Sequence, residues 1–232
     1  MSLATIDPRG ESTLIDFYSQ QSTELDRVAR NVLNFLARSL MERGWLPSVD
    51  NMIEQLSDEY PAQLLPDVLA DLKRRRLLKT DFGGKRVTDF LGGISLTQTP
   101  HRAEIDPGSG NFLYTYGGLE LLAIGPIFGK PVECMTKCGH TGKSITLTVR
   151  DEQIVDASPV GIAGFASNWD GKGPIASVAK NSPLFADDQA LEAWTSENAH
   201  LDGLPLSADL LLFVGMGMMQ ASGDARHKCI SG

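Results

Sequence analysis

The spacing of apolar residues differs between the two parts of the chain. From Leu25 to Leu40 apolar positions recur every three or four residues and arginines fall on the other face. This period predicts an amphipathic helix that ends near Gly44. The pattern predicts a second short helix over about 49–60 and a third helix after Pro61.

The third helix leads into a predicted hairpin, with strands at 77–80 and 85–87 around a turn at 81–84. Three helices followed by a hairpin is the order of a winged-helix domain. However, the basic run 73–76 lies at the C-terminal end of the third helix, whereas base contacts usually come from the N-terminal half. Residues 1–105 carry 13 Lys or Arg against 15 Asp or Glu. These charges favour a helical module packed on the rest of the protein and argue against nucleic acid as a partner.

Beyond about residue 100 the sequence pattern changes to glycine-rich turns and short apolar runs. Apolar and polar residues alternate from Ser144 to Arg150, which predicts a half-buried strand that returns as a hairpin over 153–157. Other predicted elements are an extended stretch at 112–116, a short buried helix at 117–124, a helix at 187–199 and a last helix at 210–220. The sequence therefore predicts an α+β fold with a polar arm at 1–24, a winged-helix-like domain at 25–100 and a mixed domain at 101–232.

Composition narrows the class of protein. The chain has 232 residues, 42% of them hydrophobic, and a formal charge of −8, which is an ordinary globular balance. No run of about 18 apolar residues occurs, and the N-terminus has no basic start followed by an apolar region. We therefore expect a cytoplasmic protein without a membrane segment. The sequence leaves a homodimer open.

The cysteines Cys134, Cys138 and Cys229 form an odd set that favours reduced thiols over a disulfide framework. Together with His140, the first two give a Cys-x3-Cys-x-His pattern whose soft and borderline ligands suit Zn²⁺, Cu⁺ or Hg²⁺. Cys229 is a further candidate ligand. The alternative is that the thiols are buried packing residues, that His140 is exposed, and that the tail is a disordered end.

Several stretches of the second part resemble the organomercurial lyase (alkylmercury lyase) family. The stretches that carry the resemblance are Asn111 to Glu120, Ile127 to Lys130, Cys138 to Val149, Leu184 to Ala186, the helix at Trp194, and Gly215 to Gly217. The resemblance covers about residues 25–222. It implies a lyase-like fold for 101–232, and these lyases also carry a winged-helix-like N-terminal domain.

The resemblance also identifies the positions at which the family performs its chemistry. The lyases protonate the carbon of a C–Hg bond while thiolates hold the mercury, using a cysteine followed three residues later by an aspartate. Here Gly117 stands at the cysteine position and Glu120 at the aspartate position. The second family cysteine corresponds to about Ala179. Both thiols are therefore missing, and ordinary organomercurial cleavage is doubted.

Glu120 is the candidate acid or base. It lies between Leu119 and Leu121, so partial burial should raise its pKa and suit it to proton transfer. The alternative is a structural carboxylate bonded to backbone or to an arginine. Glycines at 117 and 118 should open space beside it. A substrate pocket there would be lined by Tyr114, Tyr116, Gly118, Trp169 and Ala179, although each is equally plausible as ordinary packing.

Three functions remain open from the sequence. The first is a diverged member of the family that acts on or binds another small molecule with Glu120. The second is a metal- or organometal-binding protein that uses Cys134, Cys138 and His140. The third is a winged-helix regulator whose C-terminal domain senses a ligand.

Overall fold

The computed structural model describes residues 27–75, 77–90, 93–168 and 179–213. Three sequence predictions lie outside these residues: the arm at 1–24, the pocket residue Trp169 and the candidate ligand Cys229. The described residues form a helical N-terminal part with a hairpin and a C-terminal part built on two antiparallel sheets.

The N-terminal part contains the three predicted helices. They are α1 (Arg27–Arg43), α2 (Val49–Leu56) and α3 (Leu64–Arg74). The Ser48 hydroxyl accepts the backbone N–H of Asn51 at 3.1 Å, which caps the start of α2. The predicted end of α2 near residue 60 is wrong, because a turn follows Leu56 and only the side chain of Tyr60 returns to the core. The prediction extended the helix to Tyr60 because a buried apolar residue there fits the helical period.

A hairpin follows the helices. Strand β1 (Leu78–Thr80) pairs with β2 (Val87–Phe90) in antiparallel register. The turn is longer than predicted, because the Asp81 carboxylate accepts the backbone N–H groups of Lys85 and Arg86 at 2.8 and 3.2 Å. The second strand therefore begins at residue 87 rather than 85.

The largest sheet has six antiparallel strands. They are β3 (Ile94–Ser95), β4 (His101–Ile105), β5 (Asn111–Thr115), β6 (Val132–Lys137), β7 (Ser144–Arg150) and β8 (Gln153–Ser158), in the order β3-β5-β4-β6-β7-β8. The extended stretch before residue 116 and the hairpin formed by β7 and β8 are confirmed. The sequence patterns did not predict β4 and β6, which are central strands with several polar residues on the outer face.

One face of this sheet is covered by the helix α4 (Gly118–Phe128). Its residues from Leu119 to Ile124 are buried, so the predicted buried helix is confirmed and extends four residues further. It ends at Gly129, whose left-handed conformation (φ +61°) suits glycine and whose N–H bonds the carbonyl of Gly125. The helix places its first turn at the edge of the sheet where β5 ends.

A three-stranded sheet packs beside the helix. It consists of β9 (Ala163–Ser167), β10 (Leu184–Phe185) and β11 (Gly203–Ser207), with β9 in the centre. The predicted helix α5 (Asp188–Glu197) is capped by the Asp187 carboxylate, which accepts the N–H of Ala190 at 2.8 Å. Trp194 of this helix packs on Phe165 and Phe185 with ring centroids 5.2 and 5.3 Å away.

The end of the described chain is helical over 208–213. The last predicted helix therefore begins two residues earlier than the sequence pattern indicated, and its remainder lies outside the described residues. None of the described helices is long and apolar enough to cross a membrane.

Candidate functional site

The turn between β5 and α4 is fixed by the hydroxyl groups of two threonines. The Thr115 hydroxyl donates to the carbonyl of Gly117 at 2.8 Å, and the Thr99 hydroxyl donates to the carbonyl of Thr115 at 2.7 Å. Thr115 is fully buried, so these bonds replace the water that its polar groups lose. The start of α4 is thereby held in one position against the sheet.

Glu120 lies in the first turn of α4 and is 2% exposed. Neither carboxyl oxygen has a hydrogen-bond partner among the described residues. Burial raises the pKa of this carboxyl from its ordinary 4.5 to about 7, and only its own backbone N–H opposes the shift. A carboxyl group that titrates near neutral pH can both donate and accept a proton, which is what a general acid or base requires.

The structure brings Gly117, Glu120 and Ala179 together. A Cβ atom at Gly117 would lie 2.0 Å from the carbonyl oxygen of Ala179 and 2.8 Å from Oε2 of Glu120. Ala179 is fully buried, and its carbonyl also accepts the N–H of Ser182 at 3.0 Å. The three positions that the sequence comparison assigned to the family chemistry therefore converge on one point.

The expected open space beside Glu120 is absent at both glycines. At Gly117 the backbone of Ala179 fills it, and at Gly118 a Cβ would lie 2.6 Å from Cγ of Leu184. The prediction that these glycines open a cavity is wrong, because Ala179 and Leu184 of the same chain pack directly on their Cα atoms. Gly118 is instead tied to that segment, since its N–H donates to the Ser182 carbonyl at 2.9 Å.

A third glycine contacts Glu120 and was missed by the sequence analysis. A Cβ at Gly93 would lie 2.4 Å from Cγ of Glu120. Gly93 also accepts the N–H of Tyr116 at 3.0 Å. No sequence signal linked the two residues, because their proximity depends on β3 pairing with β5. Glu120 thus lies between the Cα atoms of Gly93 and Gly117.

Tyr116 lies at the rim of this cluster and is half-buried. Burial and the negative charge of Asp89 raise the pKa of its phenol, and a hydrogen bond with Ser95 partly opposes the shift. The Nζ of Lys180 lies 5.9 Å from the centroid of its ring. Asp89, Ser95 and Lys180 were not candidates from the sequence, since each reaches Tyr116 through tertiary contacts.

Tyr114 does not join the cluster. Its neighbours Leu113 and Thr115 are buried on the face that α4 covers, and side chains alternate between faces along a strand. Tyr114 therefore lies on the opposite face, where it pairs with Arg102 of β4.

The thiols are separated and have partners of their own. Cys134 is buried under α4 and donates to the carbonyl of Leu121 at 3.4 Å, and burial raises its pKa far above the usual range. Burial also acts to raise the pKa of Cys138, but hydrogen bonds from Thr141, Ala186 and His140 outweigh it and the net pKa is lowered. Four residues along an extended chain separate the two thiols by roughly 13 Å.

The predicted Cys134–Cys138–His140 metal site is therefore not formed. His140 approaches Glu197 instead, with Nδ1 3.5 Å from Oε2. Within the described ranges no group of three or more His, Cys, Asp or Glu residues could hold a metal ion. The sequence spacing was misleading because an extended chain carries the first ligand away from the other two.

Comparison with known proteins adds to this geometry. The model of the MerB (alkylmercury lyase) family matches residues 94–220. An alkylmercury lyase from Staphylococcus epidermidis is 27% identical over 139 residues, covering 59% of this chain and 63% of the relative. One from Pseudomonas putida is 30% identical over 115 residues, 49% of this chain and 53% of the relative. One from Streptomyces lividans is 28% identical over 163 residues, which cover 69% of this chain and 71% of the relative.

These matches span about half to two-thirds of the length of the first two relatives. A solved structure is similar over more of the chain. The crystal structure of the mercury-bound form of MerB2 superposes with a TM-score of 0.71 at 18% identity, covering 92% of this chain and all of that one. At this level of identity the similarity concerns the fold.

Proposed function

The chain belongs to the alkylmercury lyase family, and from that premise we propose that it binds or converts a small molecule other than an organomercurial, with Glu120 as acid or base. The observation that carries the proposal is the carboxyl of Glu120, which is buried, titrates near pH 7 and has no partner within the described residues. A buried carboxyl without a hydrogen-bond partner lowers the stability of the fold, so its presence here supports a functional role.

Mercury chemistry is disfavoured at this position because soft metals need soft ligands. Gly117 offers no side chain, and Ala179 offers a methyl group and a carbonyl that already accepts a hydrogen bond. Cys134 donates to the Leu121 carbonyl and Cys138 accepts the N–H of Thr141, so each thiol has a hydrogen-bond partner of its own. Protonolysis of a C–Hg bond needs a thiolate to receive the mercury as the carbon receives the proton.

What remains of the family chemistry is proton transfer. At neutral pH the Glu120 carboxyl is divided between its acid and its carboxylate forms. It can therefore give a proton to a carbon or heteroatom of a ligand, or take one from it, without an accompanying metal. Its position in the first turn of a buried helix keeps bulk water away from the transfer.

For the rest of the chain we propose a winged-helix-like N-terminal domain joined to a lyase-like C-terminal domain. The order of α1, α2, α3 and the β1–β2 hairpin supports the first part. A bridge between Ser48 and Arg86 ties the start of α2 to the hairpin. Because β3 already pairs in the six-stranded sheet, the boundary belongs before residue 94 rather than at residue 100.

Two measurements test the proposed function. The first follows benzene released from phenylmercury acetate in the presence of excess small thiol, and we expect no release above the protein-free rate. Catalytic release that disappears in Glu120→Gln or Cys138→Ser would overturn the proposal, because it would mean that the family reaction persists. The second is native mass spectrometry of the purified protein for a retained small molecule. We expect its occupancy to fall in Glu120→Gln and not in Glu192→Gln, which changes an exposed carboxylate on α5.

A further inference from the structure

Lys180 carries a positive charge next to the residues that surround Glu120. It directly follows Ala179, whose carbonyl contacts Gly117, and its Nζ lies over the ring of Tyr116, which directly precedes Gly117. Within the part of the chain that the structure describes, its ammonium group makes no ion pair. The residues that carry an ammonium group and a phenol are therefore the direct sequence neighbours of Ala179 and Gly117, whose backbones meet beside the buried carboxyl.

Lys180 does not act as the counter-ion of Glu120. A nearby cation lowers the pKa of a carboxyl, whereas that of Glu120 is raised by burial. The carboxyl oxygens also accept no hydrogen bond from it. The charge of Lys180 is therefore available to a molecule that enters the site from outside.

Tyr116 can assist as a hydrogen-bond donor. Burial and the charge of Asp89 both raise the pKa of its phenol, so the hydroxyl keeps its proton at physiological pH. A neutral tyrosine hydroxyl donates well to an anionic oxygen. Asp89 also weakens the attraction for an anion here, so Lys180 has to supply most of the favourable charge.

We propose that Lys180 and Tyr116 bind the anionic group of the ligand, so that the molecule presented to Glu120 is a small organic anion, either a carboxylate or a phosphate ester. This inference rests on the proposed function and specifies its substrate class. The overall charge of −8 repels anions, so a local cation such as Lys180 is needed to attract one. A lysine suits either anion, since its ammonium acts as a point charge.

Titration calorimetry with three aromatic probes of similar size tests this. Benzoate and phenyl phosphate carry the two anionic groups, and benzyl alcohol is the uncharged comparison. We expect saturable binding of at least one anion to the wild-type protein, and at least tenfold weaker binding to Lys180→Gln. Lys130→Gln is the matched control, because Lys130 lies just beyond the opposite end of α4 and pairs with Asp106 at 3.2 Å. It should bind the anion as the wild type does.

The two anions distinguish the two ligand sources, since preference for benzoate indicates a carboxylate and preference for phenyl phosphate indicates a phosphate ester. Three results would overturn the inference: no saturable binding of either anion, equal binding of benzyl alcohol, or wild-type affinity in Lys180→Gln. Its failure is separate from failure of the proposed function. Anion binding that depends on Lys180 and persists in Glu120→Gln supports the inference even if Glu120 performs no chemistry. A retained ligand that depends on Glu120 alone supports only the proposed function.

Discussion

The buried carboxyl of Glu120 should make the stability of the protein depend on pH. In the folded state its pKa is about 7, whereas in an unfolded chain it returns to about 4.5. Between these values the folded state holds a proton that the unfolded state has lost, so the free energy of unfolding falls as pH rises. Each pH unit costs about 1.4 kcal/mol, which gives a total loss of about 3 kcal/mol.

Replacing Glu120 with glutamine keeps the shape and removes the ionisation. We expect Glu120→Gln and the wild type to differ little at about pH 4.5, because the wild-type carboxyl is then protonated when folded. By about pH 8 the variant should be more stable by about 3 kcal/mol. Urea unfolding at four pH values across this interval measures the difference, with an unchanged m-value as the check that the transition remains two-state.

Glu192→Gln controls for the loss of one negative charge. Glu192 is exposed on α5, so its variant should follow the wild-type pH dependence. If the wild type and Glu120→Gln lost stability in parallel as pH rose, burial would not raise the pKa of Glu120. The argument for this residue as an acid or base would then lose its physical basis.

Two further predictions concern packing and thiol reactivity. Gly93→Ala places a methyl group 2.4 Å from Cγ of Glu120 and should lower the free energy of unfolding by about 1–3 kcal/mol. The same change made in a Glu120→Ala background, where Cγ is absent, should cost clearly less, and a Gly93→Ala protein as stable as the wild type in urea would contradict the close contact. Iodoacetamide followed by mass spectrometry should modify Cys138 before Cys134, whose buried thiol has its pKa raised well above the usual range. Equal rates for the two thiols in the native protein would contradict that environment.

The fold was predictable wherever one local pattern decided the structure. The alternation from Ser144 to Arg150 gave β7 with its bounds, since one face is buried and the other is not. By contrast, β4 contains only two buried apolar residues, Ala103 and Ile105, beside His101, Arg102 and Glu104. It forms because strands on both sides supply hydrogen bonds. A short sequence pattern does not contain that information.

The candidate site shows the same limit. Resemblance to a known family identified Gly117, Glu120 and Ala179, and the structure places them side by side. Gly93 and Lys180 were identified only from the structure. Gly93 comes close to Glu120 because β3 pairs with β5, and Lys180 reaches Tyr116 from a segment far along the sequence. The sequence spacing also suggested a metal site at the cysteines that the structure does not form. An extended strand separates residues that a tight turn would have brought together.

The two departures from the family pattern that the resemblance implies, a glycine at 117 and a glutamate at 120, are connected in the structure. The Glu120 side chain passes between the Cα atoms of Gly93 and Gly117, and its Oε2 lies 2.8 Å from the point at which a side chain at 117 would begin. The Ala179 carbonyl lies 2.0 Å from that same point. A cysteine at 117 therefore cannot coexist with the present positions of either group, because both contacts are shorter than packed atoms tolerate. The carboxyl and a backbone carbonyl occupy the space in which a side chain at 117 would lie, which supports the proposal of proton chemistry rather than of soft-metal binding at this site.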